Sequence, residues 1–417
     1  MASEIFKVFA PFFIFSLYGF IAYKNRRLGI SASLFYVTCF VAMSSNFSLF
    51  YRGLFQAVQV FLFFYLVWIV CHRRYVHSVN KILLPSLALI AVSVFFSVLD
   101  EDSISQSINF LSIFFVLNLL LIQLDTQKRL QFFIEYIGKL SLLCSVFGVL
   151  EYYFVNSTRI EVTFSNPNYL SFFLGIGFCV LASGKRSSLY WLRLSVVLFS
   201  IIATGSRAGL IFPLLMLLWA TYRSSGVQKT LVRGGVALAV IAALLLSGVT
   251  RFSDSQATSG SDAERLLFLK IAVEMANDRP LTGVGWGRFP AEFSEYSGLA
   301  GLVYTPHGHE IDVSDHDRRV THNDLARILA ELGYVALILF LLVSVRLFFD
   351  AVKISKDKYI FVLPVWMGVY VFSLTHNNLN NLLFWFFFLL PMIMVKFYNA
   401  NVCKAGKGYQ GPDDIAS

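Results

Sequence analysis

Residues 320–349, "VTHNDLARILAELGYVALILFLLVSVRLFF", pass from a polar stretch into a long run of apolar side chains. The apolar part, residues 334–349, approaches the roughly 17 to 25 residues that a tilted helix uses to cross a bilayer. Hydrophobic residues make up 57% of the 417 residues, and charged residues only 14%. This composition indicates a membrane protein with many spanning segments and excludes a soluble multi-domain protein.

Similar apolar runs recur along the whole chain. Backbone amides in hydrocarbon must bond within the protein, and these runs are too continuously apolar for the alternating strands of a barrel. We therefore predict an all-α integral membrane fold of about 12 transmembrane helices, or 13 if every run crosses. The thirteen candidates centre near residues 8–23, 28–43, 54–71, 82–99, 108–124, 140–155, 168–183, 189–204, 207–222, 231–249, 334–349, 359–374 and 379–397. Positive charge follows the first run instead of preceding it, which predicts an anchor and not a cleaved signal peptide.

The basic residues predict the orientation of these helices. If successive connections alternate sides, most Lys and Arg residues fall on one face, in connections such as 72–81, 184–193 and 346–358. By the positive-inside rule that face is cytoplasmic. The net charge of +9 is explained by this asymmetry, so no nucleic-acid partner is implied.

The same orientation places the longest polar stretch outside the cytoplasm. We predict four regions: an amino-terminal bundle over 1–250, a partly helical periplasmic loop over 251–321, a carboxy-terminal bundle over 322–398 and a cytoplasmic tail over 399–417. Inside the loop, the segment "SDSQATSGSD" reads as a flexible entry. A helix follows, ended by Pro280, whose predicted apolar face consists of Leu266, Leu269, Val273 and Ala276.

Two arginines on the outer face suit a phosphorylated ligand. Arg207 stands in the short connection "TGSRAGL" (204–210), where Ser206 adds a hydroxyl donor, and Arg265 opens the loop helix. A guanidinium presents a planar fork of donors that matches phosphate oxygens and stays charged at any working pH. The structural alternatives are snorkelling to the interface for Arg207 and pairing with Asp262 or Glu264 for Arg265.

The stretch "RPLTGVGWGRF" (279–289) contains three glycines but neither follows a strand nor opens a dinucleotide-binding unit. It predicts a tight turn whose backbone approaches the membrane surface or a ligand. Trp286 could then lie at the headgroup level or stack on a sugar ring. Arg288 is a weaker candidate for binding, and a surface charge is its simpler interpretation.

Histidines gather in two places around the end of the loop. The segment "HGHEIDVSDH" (307–316) has metal-binding residue types, but its spacing matches no defined site, so we predict no metal. His322 and Asn323 precede the apolar run, where such residues can cap a helix. A neutral imidazole at this boundary can also accept a proton from a hydroxyl group. His376, in "THNNLNNLL", is predicted on the same face and is a possible neighbour.

Four stretches together resemble the O-antigen ligase and polymerase superfamily of bacterial membrane proteins. They are "FSNPNYLSFFL" (164–174), "TGSRAGLIFPLL" (204–215), "ERLLFLKIAVEMANDRPLTGVGWGRF" (264–289) and "HNDLARILAELG" (322–333). The resemblance implies about twelve transmembrane helices with a periplasmic loop, in the inner membrane. It also implies transfer of a glycan from undecaprenyl diphosphate to a sugar hydroxyl, with neither a metal nor another cofactor.

The resemblance also assigns roles to individual residues. His322 would be the general base on the acceptor hydroxyl, while Arg207 and Arg265 would hold the diphosphate. Family ligases carry Arg, three residues, then Leu, which Arg265 and Leu269 satisfy. They also carry His-Asn, nine residues, Gly, two residues, then Gly, Thr or Tyr; here the last position is Ala336.

Three functions remain open at this point. A ligase would join finished O-antigen to the lipid A-core, whereas a polymerase would use the same donor and a second lipid-linked glycan as acceptor. A transporter would use the arginines to line a pathway for an anion. Transporters more often show inverted repeats and broken helices at matched positions, and no such symmetry is visible in this sequence.

Overall fold

A computed structural model describes residues 80–97, 101–124, 126–155, 159–162, 164, 166–184, 187–223, 255–297, 321–356 and 359–407. These residues form α-helices, one short 3-10 helix (Ala208–Leu210) and no strand, which confirms the all-α prediction for this part of the chain. The α-helices are α1 (Asn80–Phe95), α2 (Glu101–Gln123), α3 (Gln127–Phe154), α4 (Pro167–Ala182), α5 (Tyr190–Ala203), α6 (Ile211–Arg223), α7 (Ser255–Asp278), α8 (Phe289–Ser297), α9 (Asp324–Ser355), α10 (Val362–Ser373) and α11 (Leu382–Lys407).

Two of the described helices, α3 and α9, are long and apolar enough to cross a membrane. Several shorter apolar helices accompany them. On α9, large apolar side chains at helical spacing are exposed, as expected of a helix side that faces lipid; they are Val335, Ile338, Leu339, Leu342, Val345 and Phe349. The helix count of 12 or 13 stays a prediction, because the runs within 1–79 and 231–249 lie outside the described residues.

The connections predicted on opposite faces lie at opposite ends of the bundle. At one end, called here the inner end, Arg223 Nη1 donates to Ser355 O at 2.6 Å and Gln131 donates to the Tyr359 hydroxyl at 2.7 Å. At the other, the outer end, Tyr169 Oη donates to the carbonyl of Asn377 at 2.8 Å. The outer end therefore joins the segments 159–169, 203–207, 321–324 and 374–381.

A small second core attaches the α7–α8 segment, called here the cap (residues 255–297), to the outer half of α9. Its members are apolar and buried: Leu267, Phe268, Ile271, Ala272, Met275, Val284, Phe289, Phe293, Tyr296, Ala326 and Ala330. The two alanines belong to α9, and their short side chains let α7 approach closely. The cap is thus held by packing along α9.

The expectations about α7 are met in part. Of the predicted apolar face, Ala276 is buried and Val273 is half-buried, but Leu266 and Leu269 are exposed. Apolar residues occupy both sides of α7, and only contact with α9 selects the side that is buried. The "flexible entry" is helical from Ser255 onward. The helix does end at Asp278, just before Pro280.

The glycine-rich turn of the cap fits against a break in α9. Gly333 has φ 79° and ψ −178°, which interrupts the helix. Val284 N donates to Ala330 O at 2.8 Å, and Tyr334 N donates to Pro280 O at 2.9 Å, so the turn bonds groups that a regular helix would pair internally. A Cβ on Gly283 would lie 2.4 Å from the Glu331 carbonyl carbon. The predicted tight turn is present, and its backbone lies directly against that of α9.

Gly333→Ala tests this break. A Cβ there would lie 2.6 Å from Pro280 O, in a backbone conformation that essentially only glycine adopts. We expect a loss of about 1–3 kcal/mol or more in stability, seen as a lower thermal unfolding midpoint of the purified protein in detergent. Gly184→Ala, at an exposed position with no positive φ, is the control. An unchanged midpoint for Gly333→Ala would show that the break is not required.

Candidate functional site

His322 stands at the outer end, directly before α9, and its side chain is exposed. Its φ of 49° lies in the left-handed region, which is uncommon for residues other than glycine. The ring stacks on Phe268 of the cap, with 6.4 Å between ring centroids and 29° between planes. The cap therefore touches the histidine that the sequence singled out.

Asn323, and not His322, caps α9. Its side-chain oxygen accepts hydrogen bonds from Leu325 N at 2.9 Å and Ala326 N at 3.2 Å. Two of the otherwise unpaired first amides of the helix are satisfied in this way. The sequence left capping and chemistry open for this pair, and the structure divides the two residues between a cap and an exposed imidazole.

His376 lies buried beside His322. Its ring stacks on that of Phe372, with 4.3 Å between the ring centroids. Its Nδ1 lies 2.9 Å from Thr375 Oγ1. Burial lowers the pKa of His376 to about 3, and nearby positive charges act in the same direction. The neighbours that act in this direction are Arg265, His322 and Arg159. His376 is therefore neutral at physiological pH, and these three side chains lie near it.

Arg265 reaches this cluster from the cap. It lies on α7 one turn before Phe268, the residue that contacts His322, and it is partly buried. Residues three apart on a helix share a face. Two residues more than fifty positions apart in the sequence, Arg265 and His322, thus lie in one cluster.

Arg159 is a cation that the sequence did not single out. It donates from Nε to Thr204 O at 2.8 Å and from Nη2 to Asn168 Oδ1 at 3.2 Å. Its segment is held by the buried carboxylate of Glu151, which accepts from Val162 N at 2.7 Å and from Glu161 N at 3.2 Å. The signal in the sequence is Glu151 itself, because an acidic residue inside an apolar run needs a partner.

Arg207 and Ser206 belong to the connection against which Arg159 packs. Arg207 is exposed and begins the 3-10 helix. Ser206 is buried, its amide donates to Thr204 Oγ1, and its own hydroxyl has no partner among the described residues. A buried hydroxyl without a partner is uncommon and is suited to bind a ligand oxygen.

Asp324 joins the two segments that carry the histidines. Its buried carboxylate accepts hydrogen bonds from Asn378 N at 2.8 Å and from Leu379 N at 3.2 Å. Thr321 Oγ1 also donates to Asn377 Oδ1 at 2.8 Å. These bonds connect the start of α9 to the segment between α10 and α11, and so place His322 near His376.

Trp286 and Arg288 belong to the glycine-rich turn of the cap. Trp286 is buried, and the Arg327 guanidinium carbon lies 4.3 Å from its ring centroid. Arg288 pairs with Glu292 one turn later on α8.

Further along α9, one turn after Asn323, begins a buried ion pair between Arg327 and Glu331 that the sequence did not single out. Arg327 Nε donates to Glu331 Oε2 at 2.9 Å, and Arg327 Nη2 donates to Gln106 Oε1 at 3.2 Å. Asn380 also donates to Gln106. Charged residues inside an apolar helix are costly and are usually functional, which is the signal that could have identified this pair.

An apolar cavity of about 230 Å³ begins beside the polar cluster. Leu379, next to the Asp324 contact, and Ile328, one turn after Asp324, line its outer part. The walls come from α1, α2, α9, α11 and the turn of the cap, and include Pro85, Leu89, Phe110, Trp286, Leu332, Phe340, Trp385 and Phe388. A polar cluster above an apolar cavity suits a ligand with a charged head and a hydrocarbon tail.

No group of three or more His, Cys, Asp or Glu residues that could hold a metal ion occurs within the described residues. The segment 307–316, where the sequence has suitable residue types, lies outside them. The prediction that the protein needs no metal therefore stays a prediction.

Comparison with known proteins connects this site to a family. Residues 192–341 match the model of a family described as O-antigen ligase. The matched segment includes Arg207, Arg265 and His322, the three residues predicted to carry the chemistry. A comparison with curated proteins finds no match for the chain.

The low pKa of His376 predicts how stability depends on pH. The folded protein keeps this histidine neutral down to about pH 3, whereas an unfolded histidine binds a proton near pH 6.5. The unfolded state thus binds more protons between these values, so this contribution to stability is lost as the pH falls below about 6.5. In His376→Gln we expect a weaker pH dependence, by up to about 1.4 kcal/mol per pH unit.

Thermal unfolding in detergent at pH 5, 6 and 7.5 measures this difference. The wild-type midpoint should approach that of the variant, or fall below it, as the pH decreases. Parallel profiles for the two proteins would contradict a neutral, buried His376.

Proposed function

We propose that this membrane protein is a glycosyltransferase acting on a lipid-linked glycan, and the match of residues 192–341 to the O-antigen ligase family model supports this. It would move an oligo- or polysaccharide en bloc from undecaprenyl diphosphate to an acceptor sugar hydroxyl. The first candidate is an O-antigen ligase of the bacterial inner membrane, with lipid A-core as acceptor. The observation that carries this proposal is the contact between Phe268 of the cap and His322, because Arg265 lies one turn before Phe268 on the same helix.

The chemistry matches these side chains. The acceptor oxygen attacks the anomeric carbon of the donor, the bond from that carbon to the diphosphate oxygen breaks, and undecaprenyl diphosphate leaves. His322 takes the proton from the acceptor hydroxyl, since a neutral imidazole is a suitable base near neutral pH. Arg265 and Arg207 stabilise the charge that develops on the leaving diphosphate.

Arg159 would add to the positive charge near His376. Its hydrogen bonds to Thr204 O and Asn168 Oδ1 orient the guanidinium. The neutral state of His376 fits the same proposal, because an additional cation there would oppose protonation of His322 during transfer. His376 would instead offer a neutral hydrogen-bonding group to the substrate.

The remaining predicted binding residues receive more limited roles. Ser206 would donate its buried hydroxyl to a phosphate oxygen, which its lack of a partner among the described residues supports. Asn323 would act through its cap, which sets the backbone next to His322. Trp286 lines the apolar cavity and would contact the polyprenyl chain. Arg288 would act indirectly through the turn of the cap.

A polymerase remains the second candidate because of one residue. Ala336 stands where family ligases have Gly, Thr or Tyr, and it is buried in the wall of the apolar cavity. The donor chemistry would be the same, with a second lipid-linked glycan as acceptor. The proposed orientation, with the outer end in the periplasm, is common to both candidates.

Substitution of the two central residues tests the site. His322→Ala should lower transfer by about 100-fold or more, the usual contribution of general base catalysis. Arg265→Ala should lower it by a similar factor, as expected for the loss of one group that stabilises developing charge. Transfer is measured with purified protein, an undecaprenyl-diphosphate-linked glycan and the acceptor. His307→Ala and His316→Ala are controls and should stay active; near-normal transfer by His322→Ala would remove it from the mechanism.

Deletion of the gene separates ligase from polymerase. Surface glycan is examined on a gel, together with the lipid-linked intermediates. Loss of polymer on the lipid core while lipid-linked polymer accumulates supports a ligase, whereas a core with a single repeat unit supports a polymerase. Unchanged glycan with altered anion uptake would overturn both proposals.

A further inference from the structure

Glu331 occupies an unusual position in the bundle. It lies two residues before the break at Gly333, and its side chain is 3% exposed. One carboxylate oxygen accepts from Gly287 N at 3.0 Å and from Arg327 Nε at 2.9 Å. The other oxygen accepts from Phe289 N at 3.4 Å. A buried carboxylate keeps its charge only when such donors surround it.

The donors come from the point where the cap changes direction. Gly287 ends the glycine-rich turn, and Phe289 is the first residue of α8. A carboxylate at this place also interacts favourably with the positive end of the helix dipole. The backbone carbonyl of Glu331 makes two further contacts, accepting from Gly285 N at 3.3 Å and from Ser93 Oγ at 2.7 Å. One residue of α9 therefore holds the turn through both its side chain and its backbone.

Arg327 completes this attachment from the same helix. It lies one turn before Glu331, and its guanidinium reaches Gln106 on α2 and the ring of Trp286 in the turn. The pair thus links α2, α9 and the cap within the interior. Because both side chains are buried, the loss of either charge would leave the other without its main partner.

The attached turn controls where α7 can lie. It follows the last residue of α7 directly, and Arg265 and Phe268 are carried on that helix. Phe268 in turn contacts His322, which lies just before α9, so α7 is held against α9 at Phe268 as well as through the turn that follows it. A shift of the turn would thus change the distance between Arg265 and His322, without touching either side chain.

We propose that Glu331 is a positioning residue for glycan transfer: with Arg327, it anchors the cap to α9 and so holds Arg265 beside His322. This inference rests on the proposed function. Glu331 contacts no reacting atom and acts only through the geometry of the cap. Displacements of about 1 Å at a reaction centre can cost on the order of 100-fold in rate, so this role affects turnover more than binding.

A double-mutant cycle tests the inference with the full-length protein in detergent. Glu331→Gln keeps the size of the side chain and one acceptor oxygen but removes the charge. We expect kcat to fall by about 10- to 100-fold with a smaller change in the donor KM. In an Arg265→Lys background the same substitution should lower kcat by less than about 3-fold, because the group being positioned is already altered.

Asp350→Asn provides the matched control. Arg346 and Asp350 form another ion pair of the same spacing on α9, with the Arg346 side chain 76% exposed, in the inner half of the helix. This variant should transfer glycan at the wild-type rate. If Glu331→Gln lowered kcat by equal factors in the wild-type and Arg265→Lys backgrounds, Glu331 would be merely structural and the inference would be overturned.

Hydrogen–deuterium exchange provides a measurement independent of activity. Amides of residues 283–289 should exchange faster in Glu331→Gln than in Asp350→Asn, since their acceptor is weakened. Equal exchange in the two variants would also overturn the inference. If Glu331→Gln does not give folded protein, the kcat and exchange measurements are made on Arg327→Lys, with the same expected results. A wild-type protein that transfers no glycan would instead overturn the proposed function, and the exchange experiment would still test the anchor.

Discussion

Buried carboxylates that accept backbone amide hydrogens determine the architecture of the outer end. Glu151 holds the segment before α4, Asp324 holds the segment between α10 and α11, and Glu331 holds the turn of the cap. Irregular backbone at the edge of a membrane protein needs acceptors for its amides, and water is scarce there. A carboxylate supplies two strong acceptor oxygens for such amides. Each acid therefore fixes a loop, and the loops carry the site.

The site that results concentrates positive charge around one neutral histidine. Arg159, Arg265 and His322 come from three separate segments, and burial keeps His376 uncharged among them. Positive charge held close together in the folded protein is unfavourable unless an anion is present, and a diphosphate provides that anion in the proposed reaction. The apolar cavity that starts beside the cluster suits the rest of the same donor, because the donor combines a charged head with a hydrocarbon tail.

The broken helix α9 connects these two features. Its outer part carries the cap through Ala326 and Ala330, while its inner part presents apolar side chains to the surroundings. The break at Gly333 frees backbone groups, and the glycine-rich turn pairs with them. The stretch from His322 to Gly333 thus contains a helix cap at Asn323, an anchor at Glu331 and a bend at Gly333.

Hydropathy and local motifs were sufficient to predict an all-α membrane protein and the separation of its connections into two ends, because each depends on short stretches of sequence. The same methods misjudged part of the buried face of α7 and did not single out Arg159, Arg327 or Glu331. Those features depend on partners far away in the chain: the Glu331 carboxylate meets an amide 44 residues earlier. Only the tertiary structure brings such groups together, since burial and hydrogen bonding belong to the packed assembly and not to any one segment.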